Sequence, residues 1–219
     1  MRLTFSSVLL AVVLTGCSAA PPSPPTPPPV PTATPAPVLE PRTSNGDYYL
    51  GREDAPLTME MFGDFQCPVC GEFARTSEQN LVSQYVDTGK VKFVWRDFAW
   101  IGDESYLSAQ AARCAGQQGQ FWAYHDYLFA HQRGENLGTF SQPNLVGFAA
   151  NLGLDSDAFG KCMNSGVEPK AVQASIRYAV GLGIGVTPAF VVNGELHIGA
   201  PPASRLNAFV DTYLARVSH

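Results

Sequence analysis

The amino-acid sequence predicts an α/β domain, and three patterns along the chain support this fold class. An apolar run at Leu57–Phe62 is typical of a strand, and a helical pattern follows it within a few residues. The run Val91–Trp95 alternates apolar and polar residues as a second strand does. Helical patterns then fill residues of about 104–180, before short apolar runs return near the end. A strand, a helix and a strand in this order suit a right-handed parallel crossover.

The first strand and the first helix meet at the motif Cys67-Pro68-Val69-Cys70. Residues Gly63–Gln66 form the turn that leads from the strand into this motif. An amphipathic pattern then recurs at every fourth residue, which predicts a helix with one face toward the core. The positions that predict this face are Val69, Phe73, Ser77, Leu81 and Tyr85.

The segment of about 104–180 carries the patterns of five helices. Asp155 and Ser156 are predicted N-terminal caps within it, and Pro169 suits the first position of the fifth helix. Farther along, Asn193-Gly194 lies between two apolar runs, which predicts a tight hairpin. A last amphipathic helix is predicted over about 203–216.

The N-terminus has the pattern of a bacterial secretory signal. Arg2 is followed by the apolar stretch Val8–Leu14, and Leu14-Thr15-Gly16-Cys17 resembles the lipobox, whose cysteine is lipidated and becomes the mature N-terminus. We therefore predict a lipoprotein signal peptide at residues 1–16 and lipidation of Cys17. The alternative is an ordinary signal peptide beside an incidental cysteine. A lipid would anchor the protein to a membrane without a spanning helix.

Residues 17–44 are predicted to be the lipidated cysteine and a linker. Proline, alanine, serine and threonine dominate this segment, so it cannot build a core and is expected to act as a semi-rigid polyproline II spacer. Residues 45–219 are long enough for one domain with a sizeable core. We expect this domain to carry a helical insertion at about 103–180.

Composition and charge exclude several classes of function. The formal net charge is −5 and no basic block occurs, which argues against nucleic-acid binding. No phosphate loop or nucleotide fingerprint is present, so no cofactor is expected. A single CxxC supplies two ligands whereas a closed zinc site needs four, so no metal site is expected either. His125 and His131 are interpreted as packing or surface residues.

The two cysteines of the motif are placed for thiol-disulfide exchange. Cys67 stands where unpaired backbone N–H groups and the positive end of the helix dipole favour a thiolate, so its pKa should be depressed. Pro68 is expected to stabilise the backbone conformation at the start of the helix. Cys70 lies about one turn further in and can attack a mixed disulfide. Cys67 is therefore predicted to be the exposed nucleophile and Cys70 the shielded resolving cysteine.

The order of elements and motifs resembles the DsbA-like thiol-disulfide oxidoreductases of bacterial envelopes. The resemblance covers roughly residues 49–214 and implies a thioredoxin fold, with a central mixed β-sheet flanked by helices and an inserted helical subdomain. The motifs that carry it are Gly63–Cys70, Arg113-Cys114-Ala115, Phe121-Trp122, His125-Asp126, Gly185–Phe190 and Asn193-Gly194.

The resemblance also implies roles for residues around the motif. Thr187-Pro188 should be a cis peptide packed against the cysteines, where the Thr187 backbone can pair with an extended substrate. Asp64 matches the acid that usually precedes the family motif, and a turn-capping aspartate is the alternative. Two residues depart from the pattern, because Val69 replaces the histidine of strongly oxidising relatives and Met61 stands where many relatives have a buried acid. Because Val69 stands in place of that histidine, an intermediate reduction potential is expected.

Cys114 and Cys162 are the remaining cysteine pair. An exported protein meets conditions in which disulfides persist, and some relatives carry a second, structural disulfide in this region. Closing about 49 residues would remove unfolded-state entropy worth about 4 kcal/mol. We expect a structural disulfide between them, and two buried free thiols are the alternative.

Together these features predict an extracytoplasmic disulfide oxidase, anchored by lipid at the bacterial cell membrane and monomeric. Its partners would be thiol-containing exported proteins and a membrane redox partner that resets the active site. A membrane-anchored reductase or isomerase is an alternative within redox chemistry. A binding module or holdase with purely structural disulfides is the alternative from another class.

Overall fold

The computed structural model describes residues 39–217. The predicted signal peptide at 1–16, the lipidation site Cys17 and most of the predicted linker lie outside the described residues. Within the described part, no helix is both long enough and apolar enough to cross a membrane.

A mixed sheet forms the centre of the fold, as the resemblance implies, and it has five strands. Its strands lie in the order β1-β3-β2-β4-β5. The central strands β2 and β3 are parallel, and the other neighbours are antiparallel. The strands are β1 (Tyr49–Leu50), β2 (Leu57–Gly63), β3 (Val91–Asp97), β4 (Ala189–Val192) and β5 (Glu195–Ile198).

The side chains of strand β2 alternate between the two faces of the sheet. Leu57, Met59 and Met61 are fully buried in the larger hydrophobic core. Phe62 belongs to a smaller apolar cluster, and the side chain of the partly buried Glu60 pairs with Arg96 at 2.6 Å. Successive side chains of a strand point to opposite faces. The side of β2 with Met61 therefore faces the core that also holds the two cysteines of the CxxC motif.

A continuous helical segment over residues 68–86, the CxxC helix, connects β2 to β3. It consists of α1 (Pro68–Phe73), a π-helical segment (Ala74–Glu78), α2 (Gln79–Leu81) and a second π-helical segment (Val82–Val86). A four-residue repeat drifts around a regular α-helix, which has 3.6 residues per turn. The wider π-helical turns offset that drift. The repeat therefore keeps its later members on the buried face, namely Phe73, Ser77, Leu81 and Tyr85. The prediction is wrong for Val69, which is exposed in the first turn of the helix.

Five helices lie between β3 and β4, as predicted. The fifth begins two residues before Pro169, so this proline occupies the third helical position rather than the first. Asp155 caps the fourth, because its carboxylate accepts hydrogen bonds from the backbone N–H groups of Asp157 and Ala158, each at 2.9 Å. The helices are α3 (Asp103–Gly116), α4 (Phe121–Ala130), α5 (Gln142–Asn151), α6 (Ser156–Asn164) and α7 (Val167–Gly181).

The insertion is joined to the sheet by an ion-pair network formed by Asp47, Glu60, Arg96, Asp97 and Arg113. Arg113 of α3 contacts Asp97 at the end of β3 and also Asp47, which lies 2.7 Å from its guanidinium. Arg96 contacts Asp47 and Glu60. Four of the five residues are buried, which leaves each charge dependent on its partners.

The chain ends with a hairpin and a helix. Asn193 and Gly194 connect β4 to β5 with φ values of 46° and 88°, the left-handed conformation that a two-residue hairpin turn requires. A short 3₁₀ turn (Ala203–Arg205) then leads into α8 (Leu206–Val217). Leu206, Val210 and Tyr213 are the buried residues of this helix.

Candidate active site

Cys67 is the N-cap residue of α1, and Cys70 lies in its first turn. The backbone of Cys67 is extended, with φ −67° and ψ 119°, and Pro68 follows as the first helical residue. A proline at this place removes an N–H group that the helix would leave unpaired. The carbonyl of Cys67 accepts the N–H of Gly71 at 3.0 Å. The thiol of Cys67 is thereby held at the helix start, as the motif predicts.

The two thiols are both buried, and they differ in degree. Cys70 is completely inaccessible, whereas 5% of Cys67 is exposed. Cys67 is thus less open than the sequence suggested, although it remains the more accessible of the pair. Pro68 and Val69 between them are exposed, and 45% of the Val69 surface is accessible.

The surroundings separate the acidities of the two thiols. A hydrogen bond from the Cys70 side chain lowers the pKa of Cys67 to about 6, with help from the backbone N–H groups of Val69 and Cys70, while burial opposes the change. Burial raises the pKa of Cys70 well above its ordinary value, and the neighbouring Cys67 thiolate adds to this. At neutral pH Cys67 is therefore mostly a thiolate and Cys70 a thiol.

Thr187 and Pro188 face the cysteine motif from the loop before β4. Their peptide bond is cis. The sulfur of Cys67 lies 3.5 Å from the carbonyl oxygen of Thr187. The Thr187 hydroxyl accepts a hydrogen bond from the indole N–H of Trp100 at 3.2 Å, and about half of the Trp100 surface is exposed. Trp100 was not among the predicted site residues, since nothing in the sequence distinguishes it from a core tryptophan.

Asp64 organises the two loops next to the motif. Its carboxylate is buried and accepts a hydrogen bond from the N–H of Gln66 at 2.8 Å. The second oxygen accepts the N–H groups of Trp100 and Ile101, at 3.0 Å and 3.2 Å. These contacts are those of a turn-capping aspartate, which is one of the two interpretations left open by the sequence. They also tie the loop that carries Trp100 to the turn that carries the cysteines.

Gln132, just after α4, is a second residue that sequence reasoning missed. Its side-chain amide donates to the carbonyl oxygens of Phe65 and Cys67, both at 2.9 Å. Gly71 leaves room for this contact, because a Cβ there would lie 2.4 Å from the Gln132 side-chain oxygen. The helical insertion thus holds the backbone of the cysteine turn directly.

Comparison with known proteins identifies the family. The family model described as thioredoxin matches residues 43–212, which is most of the chain. The chain belongs to the thioredoxin family. A probable disulfide bond formation protein D of Bacillus anthracis is 30% identical over 151 residues, which cover 67% of this chain and 70% of that protein. The predicted resemblance to DsbA-like thiol-disulfide oxidoreductases is therefore confirmed at the level of the family.

Solved structures of thioredoxin-family proteins agree with this fold. A thioredoxin-like oxidoreductase from Silicibacter pomeroyi superimposes with a TM-score of 0.67 at 29% identity, over 80% of this chain and 94% of that one. BdbD from Bacillus subtilis superimposes with a TM-score of 0.72 at 22% identity, over 82% and 98% of the two chains.

Longer proteins also contain a related segment. The Na(+)/H(+) antiporter NhaA 1 of Salinispora arenicola is 31% identical over 180 residues, which cover 81% of this chain. The chain spans only about a quarter of the length of that relative, 26%.

Met61 lies where the resemblance leads one to look for a buried acid. It is fully buried in the hydrophobic core that contains Cys67 and Cys70. Glu60 is engaged with Arg96 in the ion-pair network. Strand alternation places these neighbours on opposite faces of β2. Within the described residues, neither position supplies a carboxylate to Cys70.

Cys114 of α3 and Cys162 of α6 form a disulfide in this structure, with an S–S distance of 2.02 Å. The bond connects two helices of the insertion, and Cys67 and Cys70 are free thiols. The residues that the sequence singled out therefore form two separate groups. One group lies at the N-terminus of the CxxC helix and consists of Cys67, Cys70, Thr187 and Pro188. The other lies within the insertion and consists of Cys114 and Cys162.

Proposed function

We propose that this protein is an extracytoplasmic disulfide oxidase that introduces disulfide bonds into exported proteins through Cys67 and Cys70. The observation that carries the proposal is the opposite shift of the two pKa values, downward for Cys67 and upward for Cys70. A stabilised Cys67 thiolate favours the reduced form of the protein, and this makes its disulfide a stronger oxidant.

The reaction begins with the oxidised protein, in which Cys67 and Cys70 are joined. A substrate thiolate attacks the sulfur of Cys67, the bond between the two cysteines breaks, and Cys70 leaves and takes up a proton. A second thiolate of the substrate then attacks the substrate sulfur of the mixed disulfide. Cys67 leaves as a thiolate, and two electrons have passed from the substrate to the protein.

Thr187 is the proposed platform for the substrate backbone. Its carbonyl oxygen is close to the Cys67 sulfur, so an extended peptide paired with Thr187 would bring its own cysteine near the reacting atoms. Val69 and Trp100 add exposed apolar surface beside this position. Such a surface suits an unfolded polypeptide, whose apolar side chains are still accessible.

The remaining elements of the proposal concern location and partners. The pattern around Cys17 supports export and lipid anchoring, which would place the reaction in an oxidising compartment. Each round of oxidation leaves the cysteine pair reduced, so an acceptor must take up the two electrons, and we propose a membrane redox partner for this role. We propose that the protein acts as a monomer.

The decisive experiment measures the reduction potential of the cysteine pair together with the stability of both redox forms. An oxidase should have a potential at or above the glutaredoxin range of about −230 to −200 mV, with the reduced form the more stable. A value near that of thioredoxin, about −270 mV, would instead support a membrane-anchored reductase. Val69 favours that second candidate, because it replaces the histidine found in strongly oxidising relatives.

A trapping experiment separates both enzymes from a binding module. In the Cys70→Ala variant, Cys67 can form a mixed disulfide that the missing thiol cannot resolve. We expect this variant to accumulate mixed disulfides with exported proteins, and the Cys67→Ala variant to accumulate none. Equal behaviour of the two variants would support a holdase or binding module.

A further inference from the structure

Two carbonyl groups of the cysteine turn are held by one side chain of the helical insertion. Gln132 follows α4, and its Nε2 atom donates to the carbonyl oxygens of Phe65 and Cys67, both at 2.9 Å. The Cys67 carbonyl also accepts the N–H of Gly71 at 3.0 Å, so both lone pairs of this oxygen are used. The two donors together fix the direction in which the Cys67 carbonyl group points.

The direction of this carbonyl group matters for the sulfur of the same residue. Peptide groups are planar, so the Cys67 carbonyl sets the plane from which Pro68 and the first helical turn continue. In that turn the backbone N–H groups of Val69 and Cys70 donate to the Cys67 sulfur. A carbonyl oxygen carries partial negative charge and would disfavour a thiolate if it turned toward the sulfur. The observed arrangement presents donors to the sulfur and turns the carbonyl groups toward Gln132.

Gly71 keeps open the space through which Gln132 reaches the turn. A Cβ atom at this position would overlap the Oε1 atom of Gln132 and would lie 2.7 Å from the Nη1 atom of Arg75. Arg75 donates to the carbonyl oxygen of Phe129 near the end of α4, at 2.9 Å. A methyl group at position 71 would therefore displace the ends of two side chains, whereas the backbone would be left in place.

A cavity beside Gln132 allows its contacts to be removed without unfolding the turn. The cavity has a volume of about 350 Å³, and Gln66, Pro68 and Gln132 are among the residues that line it. If the amide were removed, water from this cavity could reach the two carbonyl oxygens, so neither would be left unpaired. A water molecule moves freely and does not hold two carbonyl groups in one direction. The expected loss is therefore in orientation rather than in folding.

We propose that Gln132 is a positioning residue for the nucleophile Cys67. It holds the carbonyl groups of Phe65 and Cys67 on the side of the insertion, and this keeps the N–H groups of the first helical turn directed at the sulfur. Gly71 contributes to the same arrangement because it admits the Gln132 side chain. The inference rests on the thiol chemistry of the proposed function, but it holds equally for an oxidase and for a reductase.

The test measures the rate at which iodoacetamide alkylates Cys67 in the reduced full chain as a function of pH, with mass spectrometry to identify the modified residue. Gln132→Ala removes the donor and should raise the midpoint by about 0.5 to 1 pH units, the effect of one ordinary hydrogen bond. Gln132→Met keeps the length of the side chain without a donor and should raise the midpoint equally. An unchanged midpoint in either variant would overturn the proposal.

A double variant shows whether Gly71 acts through Gln132. Gly71→Ala should raise the midpoint as Gln132→Ala does, and the variant with both changes should match Gln132→Ala alone, because the displaced contact is already absent. Additive shifts would mean that Gly71 acts through Arg75 or the helix itself, and would overturn its assigned role. Gly147→Ala and Gln142→Ala change the same residue types at exposed positions of α5 and should leave the midpoint unchanged.

A second measurement separates this inference from the proposed oxidase. Circular dichroism establishes that each variant is folded, and the reduction potential of Gln132→Ala should be more negative than that of the parent, because a less stable thiolate makes the disulfide a weaker oxidant. A parent potential in the thioredoxin range would contradict the oxidase and leave this difference to be observed. Equal potentials of parent and variant would contradict the role of Gln132 and leave the oxidase intact.

Discussion

At the scale of single residues, the Cys67 thiolate depends on one neighbouring donor. The hydrogen bond from Cys70 is the largest contribution that lowers its pKa to about 6. A hydrogen bond to a charged group is worth about 1.5–3 kcal/mol, or about 1 to 2 pKa units. The side chain at position 70 should therefore control the reactivity of position 67.

We expect the alkylation rate of reduced protein to rise with a midpoint near pH 6, because Cys67 reacts as the thiolate. Replacing Cys70 by alanine should move this midpoint upward by about one unit or more, since no donor remains. Replacing it by serine keeps an O–H donor and should move the midpoint less. The rate of reaction with iodoacetamide, measured from about pH 4 to about pH 9, gives the midpoint for the parent protein and for both variants. Identical midpoints for the two variants would contradict the assignment.

The same shift predicts a pH dependence of stability. The pKa of Cys67 is lower in the folded protein than its ordinary value of 9.0, so the stabilisation is complete above that value and is lost as the pH falls through about 6. Between these limits the free energy of unfolding of the reduced protein should rise by about 1.4 kcal/mol per pH unit, relative to Cys67→Ala. Urea unfolding of both proteins across this range measures the difference. A difference that stays constant with pH would contradict the prediction.

In the proposed mechanism, Trp100 supports the Thr187 platform for the substrate through its hydrogen bond. Trp100→Phe keeps an aromatic ring and removes the N–H that donates to Thr187. Losing a hydrogen bond worth about 1 kcal/mol should slow oxidation of an unfolded protein about fivefold. Reaction with a small dithiol, which needs no backbone platform, should hardly change. Equal slowing of both reactions would instead indicate damage to the cysteine pair itself.

At the scale of elements, the disulfide between Cys114 and Cys162 links α3 to α6, and its two cysteines are 48 positions apart in the sequence. Closing a loop of this length restricts the unfolded chain, and loss of such a bond typically costs about 2–5 kcal/mol. We expect the Cys114→Ala, Cys162→Ala double variant to lose stability by that amount. Urea unfolding should compare it with its parent, both carrying Cys67→Ala and Cys70→Ala so that no thiol exchange interferes. Equal stability would show that the bond does not constrain folding.

Local sequence predicted most of the elements and the cysteine pair. Cys67 and Cys70 stand next to each other on one helical turn, so their spacing alone reveals them. Gln132 and Trp100 act on the motif from distant points of the chain, and a single sequence does not show which distant residues meet. The place of Thr187 beside the cysteines came from a resemblance, for the same reason.

At the scale of the whole molecule, the ion-pair network holds together the helical insertion, the sheet and the segment before β1 that carries Asp47. Arg113 is at its centre and is almost fully buried between Asp47 and Asp97. Burial raises the pKa of Asp47, although both arginines work in the opposite direction. Charges of this kind are stable only while every partner is present.

Removal of Arg113 should therefore be far more costly than removal of a surface arginine. We expect Arg113→Ala to lower the free energy of unfolding by about 3–5 kcal/mol, because two buried carboxylates lose a partner. Arg52→Ala breaks an exposed ion pair with Asp54 and should change the stability little. Thermal and urea unfolding of both variants provide the comparison. Similar losses would mean that the network contributes no more than a surface pair.

The π-helical turns of the CxxC helix affect how this chain should be aligned with its relatives. A π-helical turn corresponds to one extra residue inserted into an α-helix. If Ala74–Glu78 kept all its residues and were α-helical, the helix beyond it would rotate by about 100° relative to Cys67 and Cys70. Leu81 and Tyr85 would then leave the core while the cysteines stayed in place. A relative whose helix is purely α-helical is therefore aligned correctly only when a one-residue gap is placed in each of the two π-helical segments.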